Sequence, residues 1–242
     1  MNTRYLHWAG PVVIVLAAAC SEQADESGRA MPGDGASRVA ERIASADRPA
    51  PTIPADAPVV AVLGDSIAAG LHLAADDAFP AALQRLLAAQ GRPFRLVNAG
   101  VSGDTSAGGL RRLEWVLRSK PDVLVVELGA NDGLRGSPLE ELEKNLREIV
   151  RGGLASGARV VLVGMQMPPN LGPEYSRGFE ELYGRVAREE GALFVPNFLR
   201  GVGGEVNRNL EDGLHPTVEG HEILASNLAP TLSAALDELG RE

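Results

Sequence analysis

From Pro58 onward the chain alternates short, unbroken apolar runs with longer segments of helical spacing, and nothing else in it limits the fold so tightly. Val59-Val60-Ala61-Val62-Leu63 is apolar throughout and closes on Gly64. A strand apolar on both faces needs cover on both, which is the signature of a buried parallel strand. Phe79–Gln90 carries Leu83, Leu86 and Leu87 and stops before Gly91, a helical spacing with a glycine terminator. Phe94–Asn98, Val123–Leu128, Arg159–Val163 and Leu193–Val195 read as further strands. Thr105–Arg118, Leu139–Ser156, Glu174–Glu190 and Thr217–Leu239 read as helices. Leu139–Ser156 has the clearest stripe, with Leu142, Leu146, Ile149 and Val150 on one face and Glu and Arg opposite. Five strands alternating with helices predict a single three-layer α/β/α domain around a parallel sheet. The expected strand order is the flavodoxin-like 2-1-3-4-5, which binds ligands at the C-terminal ends of the strands near the switch point.

The residues before Pro58 follow a different logic. Residues 1–19 hold Arg4 and His7 but no acid, followed by an apolar run from Ala9 to Ala19. That run is too short for a bilayer-spanning helix of about 20 residues. A basic start, a short apolar stretch and small residues at its end predict a secretory signal. The single cysteine, Cys20, directly follows Leu16-Ala17-Ala18-Ala19. The arrangement resembles a bacterial lipoprotein signal, which implies acylation of Cys20 and attachment to a membrane surface. The expected location is therefore the periplasm or the outer membrane. From residue 20 to 57 there are four prolines, many small residues and no aromatic. This composition cannot bury a core and predicts a flexible tether, compatible with one short helix over Ser37–Ser45. The folded domain is then 58–242.

Composition removes several function classes. The net charge of −9, from 23 Lys and Arg against 32 Asp and Glu, argues against a nucleic-acid partner. One cysteine rules out an intrachain disulfide framework and multi-cysteine metal sites. Four histidines without a His-Glu-x-x-His arrangement do not suggest a zinc enzyme. Neither a metal nor an organic cofactor is expected.

The unusual residues cluster where strands should end. Gly64-Asp65-Ser66-Ile67 follows the first strand, Asn98-Ala99-Gly100-Val101-Ser102-Gly103-Asp104-Thr105 the second, and Gly129-Ala130-Asn131-Asp132-Gly133 the third; Asp212-Gly213-Leu214-His215-Pro216 lies beyond the fifth. In a 2-1-3 order the first three loops are neighbours. Acyl transfer by a serine requires a base, an acid to orient it, and donors for the oxyanion. Ser66 is the candidate nucleophile, although a helix-capping serine would look the same. His215 is the candidate base, set in extended backbone by Pro216, with Asp212 three residues back to orient it. Gly103, through its backbone N–H, and Asn131, through its side chain, are candidate oxyanion donors. His72 has no suitable acid partner, and His221 falls within the last helix.

These four stretches resemble, in order, the four consensus blocks of the SGNH or GDSL-type hydrolases. Within that family they are most similar to the multifunctional bacterial acyl-CoA thioesterase/lysophospholipase/arylesterase branch. The resemblance implies a Ser66, Asp212, His215 triad and an oxyanion hole of Ser66, Gly103 and Asn131. It also implies an adjustable loop over about Gly133–Ser137 and an acyl groove near Gln166–Phe179. Ile67 and Ala130 depart from the usual Leu and Gly. The activity implied is ester hydrolysis through an acyl-enzyme, on aryl esters and lysophospholipids, with thioesters less suited to an exported enzyme. Three rival readings are a carbohydrate O-acetyl esterase of the same fold, a phosphoacceptor or divalent-metal module using Asp65 and Asp132, and a non-catalytic envelope-binding lipoprotein.

Overall fold

The computed structural model describes residues 50–167 and 171–240. The expected signal segment 1–19, Cys20, the short helix anticipated over Ser37–Ser45 and the expected tether up to residue 49 lie outside the described residues. Residues 50–57 carry only a turn, and Ala57 at their end is already buried. Its carbonyl accepts from Arg95 Nε at 3.0 Å, so packing starts one residue ahead of the expected boundary.

Five strands form the sheet: β1 (Val59–Gly64), β2 (Arg95–Gly100), β3 (Val123–Glu127), β4 (Arg159–Val163) and β5 (Leu193–Val195). All pairings are parallel and the order is β2-β1-β3-β4-β5, as the alternation predicts. The helices are α1 (Ser66–Ala69), α2 (Phe79–Ala89), α3 (Ser106–Leu117), α4 (Ala130–Leu134), α5 (Leu139–Ala155), α6 (Pro173–Glu190) and α7 (Val218–Leu239). Every residue of β1 and β3 is buried, which explains their unbroken apolar runs. β2, at one edge, is only partly covered. α2 packs with α7, and α5 packs with both α3 and α6, giving a helical layer on each side of the sheet.

Local chemistry sets the element ends. The Thr105 and Thr217 hydroxyls accept from the N–H of Gly108 and Gly220, capping α3 and α7. Gly191, at φ 77, ends α6 in the left-handed conformation that glycine adopts without a Cβ clash. α1 and α4 are too short to show a helical period in sequence; 3-10 turns lie at Ala75–Asp77 and Val206–Arg208. No helix among the described residues is long and apolar enough to cross a membrane.

Candidate active site

The crevice forms where β1, β2 and β3 end side by side, with Gly64 paired to both Gly100 and Glu127. Gly64 is required by close approach. A Cβ there would lie 2.5 Å from Glu127 Oε2 and collide with the Ala68 side chain. Asp65 then caps α1, its Oδ1 accepting from the Ile67 N–H at 3.0 Å. Ser66 is thus the first helical residue and not the cap. Its backbone N–H makes no hydrogen bond among the described residues.

His215 reaches Ser66 from the other end of the domain. An antiparallel bridge between Asn209 and Pro216 closes the loop, and Leu210 N–H donates to the His215 carbonyl at 2.7 Å. Within it, Asp212 Oδ1 accepts the N–H groups of Leu214 and His215, both at 2.9 Å. Asp212 Oδ2 lies 2.6 Å from His215 Nδ1, and His215 Nε2 lies 2.9 Å from Ser66 Oγ. A carboxylate can only accept, so Nδ1 carries the proton and Nε2 presents its lone pair to the serine hydroxyl. The backbone N–H and imidazole of His215 hold the Asp212 carboxyl down, to about 2, keeping it ionised at working pH.

Asn131 sits in the first turn of α4, set by Gly129 at φ 114. Its Nδ2 donates to Asp65 Oδ2 at 3.2 Å, which engages one amide hydrogen and leaves the other. Of the loop expected over Gly133–Ser137, Gly133 and Leu134 belong to α4, and Arg135–Ser137 lie outside it. Gly133 packs so closely on Met167 and Phe179 that an added Cβ would meet their side chains at 2.7 and 2.9 Å. Gly103 is exposed at φ 79, outside the residues lining the cavity, and its carbonyl accepts from Arg135 Nη2 at 3.0 Å. The structure therefore links Ser66, His215 and Asp212 by hydrogen bonds and sets Asn131, held by Asp65, in the same cavity lining, with Gly103 on an adjoining loop.

The other histidines stay out of this set. His221 Nδ1 accepts from the Phe79 N–H at 3.0 Å, and its ring stacks on that of Phe79. Burial, and then His215, push it down from 6.5 to about 4, so it is a neutral part of the core. His72 is exposed, and its ring meets His215 edge-on at 6.1 Å.

Sequence reasoning missed two groups that build the site. The Arg112 guanidinium donates to the carbonyls of Gly64 (2.8 Å) and Ala99 (2.5 Å) and to Asp104 Oδ2 (2.6 Å), tying the ends of β1 and β2 together. Glu127, at the end of β3, is completely buried against Asp65. Burial pushes Asp65 up to about 6, and burial and the Asp65 charge push Glu127 well above the usual carboxylate range. Asp132, a candidate in the phosphoacceptor reading, is instead buried, accepting from Ser106 N (2.8 Å) and Oγ (2.6 Å). Among the described residues no group of three His, Cys, Asp or Glu could hold a metal ion.

A cavity of about 580 Å³ opens beside Ser66, Asn131 and His215. Ile67, Leu134, Met167, Leu199, Val202 and Leu214 give it predominantly apolar walls. Of the groove expected near Gln166–Phe179, Gln166 and Met167 line this cavity, while 168–170 lie outside the described residues.

Residues 62–223 match the model of the GDSL-like lipase/acylhydrolase family. The chain belongs to that family. This GDSL-like acylhydrolase is 46% identical over 183 residues to the esterase TesA of Pseudomonas aeruginosa, covering 75% of this chain and 91% of that protein. It is 37% identical to an arylesterase of Vibrio mimicus (71% and 86% covered). It is 35% identical to thioesterase 1/protease 1/lysophospholipase L1 of Escherichia coli K12 (74% and 85% covered). The crystal structure of TesA superposes with a TM-score of 0.71 at 46% identity, covering 73% of this acylhydrolase and 99% of that chain.

Proposed function

We propose that this protein is a serine esterase that cleaves acyl esters, aryl esters and lysophospholipids among them, through a Ser66 acyl-enzyme. The observation that carries this reading is the unbroken line from Asp212 Oδ2 through His215 to Ser66 Oγ, with contacts of 2.6 and 2.9 Å. His215 Nε2 takes the Ser66 proton as Oγ attacks the ester carbonyl, and Asp212 stabilises the imidazolium that results. The backbone N–H groups of Ser66 and Gly103 and the free amide hydrogen of Asn131 receive the tetrahedral oxyanion. His215 then hands its proton to the departing alkoxide, leaving Ser66 acylated. A water molecule deprotonated by His215 attacks the acyl carbonyl; the bond from that carbon to Ser66 Oγ then breaks as His215 returns the proton to Oγ, releasing the acid and restoring Ser66.

The apolar cavity beside Ser66 supports a hydrocarbon acyl chain over acetyl groups on a polysaccharide, which would call for a small polar-walled pocket. The names of the similar proteins, esterase, arylesterase and thioesterase/lysophospholipase, support the same substrate class. A p-nitrophenyl ester series from acetate to palmitate, run beside a lysophospholipid, tests this. Hydrolysis extending to medium and long chains is expected, and activity confined to acetate would overturn it. Ser66→Ala should abolish turnover with the fold intact.

The small residues before Cys20 support a lipid anchor that would hold the enzyme on an envelope membrane. Cys20→Ala should then release it from the membrane fraction; unchanged partitioning would overturn that part of the reading.

A further inference from the structure

The reaction just described leaves Glu127 without a task, yet Glu127 is expensively placed. Its side chain has no exposed surface, and its Oε1 has no hydrogen-bond partner among the described residues. Burying such a group costs stability that a packed apolar side chain would not. Its Oε2 accepts the Asp65 N–H at 3.2 Å, and the Ala68 N–H faces the same carboxyl group. Asp65 Oδ1 takes the Ile67 N–H. The Asp65 and Ile67 N–H groups are thus taken up by carboxyl oxygens, whereas the Ser66 N–H, the one the oxyanion needs, makes no hydrogen bond among the described residues. Asp65 Oδ2 in turn holds Asn131 Nδ2, the side-chain donor.

We propose that Glu127 is a positioning residue of the ester-hydrolysis site: its carboxyl group sets the turn that carries Ser66 and, through Asp65, the direction of the Asn131 amide. The proposal rests on Ser66 being the nucleophile. Two carboxyl groups this close do not both ionise readily. Glu127, more deeply buried, keeps the proton, and Asp65 carries the charge, facing Glu127, Asn131, His215 and Asp104. An anionic Asp65 is the stronger acceptor for Asn131 and lies where the His215 imidazolium develops. A neutral Glu127 is matched in shape by glutamine, whose carbonyl can take the place of Oε2.

The test uses p-nitrophenyl butyrate and four variants whose folding is checked by circular dichroism. Glu127→Gln should keep kcat within about threefold of the parent. Glu127→Asp withdraws the acceptor by one methylene and should lower kcat by about 10- to 100-fold with KM nearly unchanged, since small misplacements of catalytic groups cost this much. Glu127→Met, similar in size but without oxygen, should show the same loss and stands in if the aspartate variant does not fold. Infrared difference spectra between the parent and Glu127→Gln at neutral pH should reveal the C=O stretch of a protonated carboxyl. The proposal is overturned if glutamine loses as much as aspartate, if folded Asp or Met variants keep parental kcat, or if that stretch is missing. Ser66→Ala run alongside separates the two readings. Full activity there removes the nucleophile assignment, whereas an inactive Ser66→Ala with fully active Glu127→Asp and Glu127→Met removes only the positioning role.

Discussion

Asp212 grips His215 at two points: one carboxylate oxygen takes its backbone N–H at 2.9 Å, the other its Nδ1–H at 2.6 Å. The double contact fixes both the ring's place and its tautomer, so the serine meets a lone pair. In Asp212→Asn an amide N–H would face Nδ1, favouring the tautomer with the proton on Nε2. A loss of about 10⁴-fold in kcat is known for such a change at a buried acid. Asp212 is partly exposed, its side chain 39% accessible, so water can substitute in part. The expected loss is roughly 10²- to 10³-fold, with KM within a few-fold, in steady-state hydrolysis of an aryl ester. A variant as fast as the parent would show that the grip is structural only.

Asn131→Ala removes the side-chain donor and strands Asp65 Oδ2, which loses its amide partner. Stabilisation confined to the transition state appears in kcat and not in KM. A fall of about 10²- to 10³-fold in kcat is expected. A change in KM alone would mean that Asn131 binds ground-state substrate.

Much of this site is legible in the sequence because its parts are local. Ser66, Asn131 and His215 each follow a recognisable turn, and the Asp212 to His215 spacing of three residues closes within one loop. The sheet order is legible for the same reason, since the apolar runs of β1 and β3 report burial on both faces. What stays hidden depends on distant pairings. Glu127 reads as the polar end of an apolar strand; only the register that sets it beside Gly64 reveals a buried carboxyl pair. Arg112 looks like one more surface arginine on α3 until the fold places two carbonyls and Asp104 around it. The α4 turn is invisible because five residues cannot show a 3.6-residue period.

Arg112→Lys tests that hidden tie. A lysine presents one compact head and cannot bond Gly64 O, Ala99 O and Asp104 together as the guanidinium does. Losing two such charge-assisted bonds should destabilise the domain by about 3 kcal/mol. For a domain of this size that lowers Tm by roughly 10 °C in a calorimetric scan. Because both tied strand ends carry site loops, kcat should fall by about tenfold as well. An unchanged Tm would show that the strand ends hold without the guanidinium.

His221 makes acid sensitivity a property of the core as well as the site. Its folded-state value is lowered from 6.5 to about 4 by burial, so the native state holds it neutral while the unfolded chain takes up a proton. The stability this represents is complete above pH 6.5 and is lost as pH falls toward 4, about 3 kcal/mol in all. Asp65 has the opposite sign: raised from 3.8 to about 6, it binds its proton more readily in the folded state, so its contribution grows as pH falls through that window. Asp212, lowered to about 2, is lost only below pH 3.8. The parent's net pH dependence is therefore a blunted sum, and a comparison isolates His221. In His221→Asn the Oδ1 atom replaces Nδ1 as acceptor for the Phe79 N–H, while the ring's stacking on Phe79 is lost. The variant should be less stable than the parent at pH 7 by urea unfolding. That gap should narrow by about 2–3 kcal/mol on going to pH 4, because the variant has no histidine to protonate. A gap that stays constant across this range would mean that His221 is not held neutral.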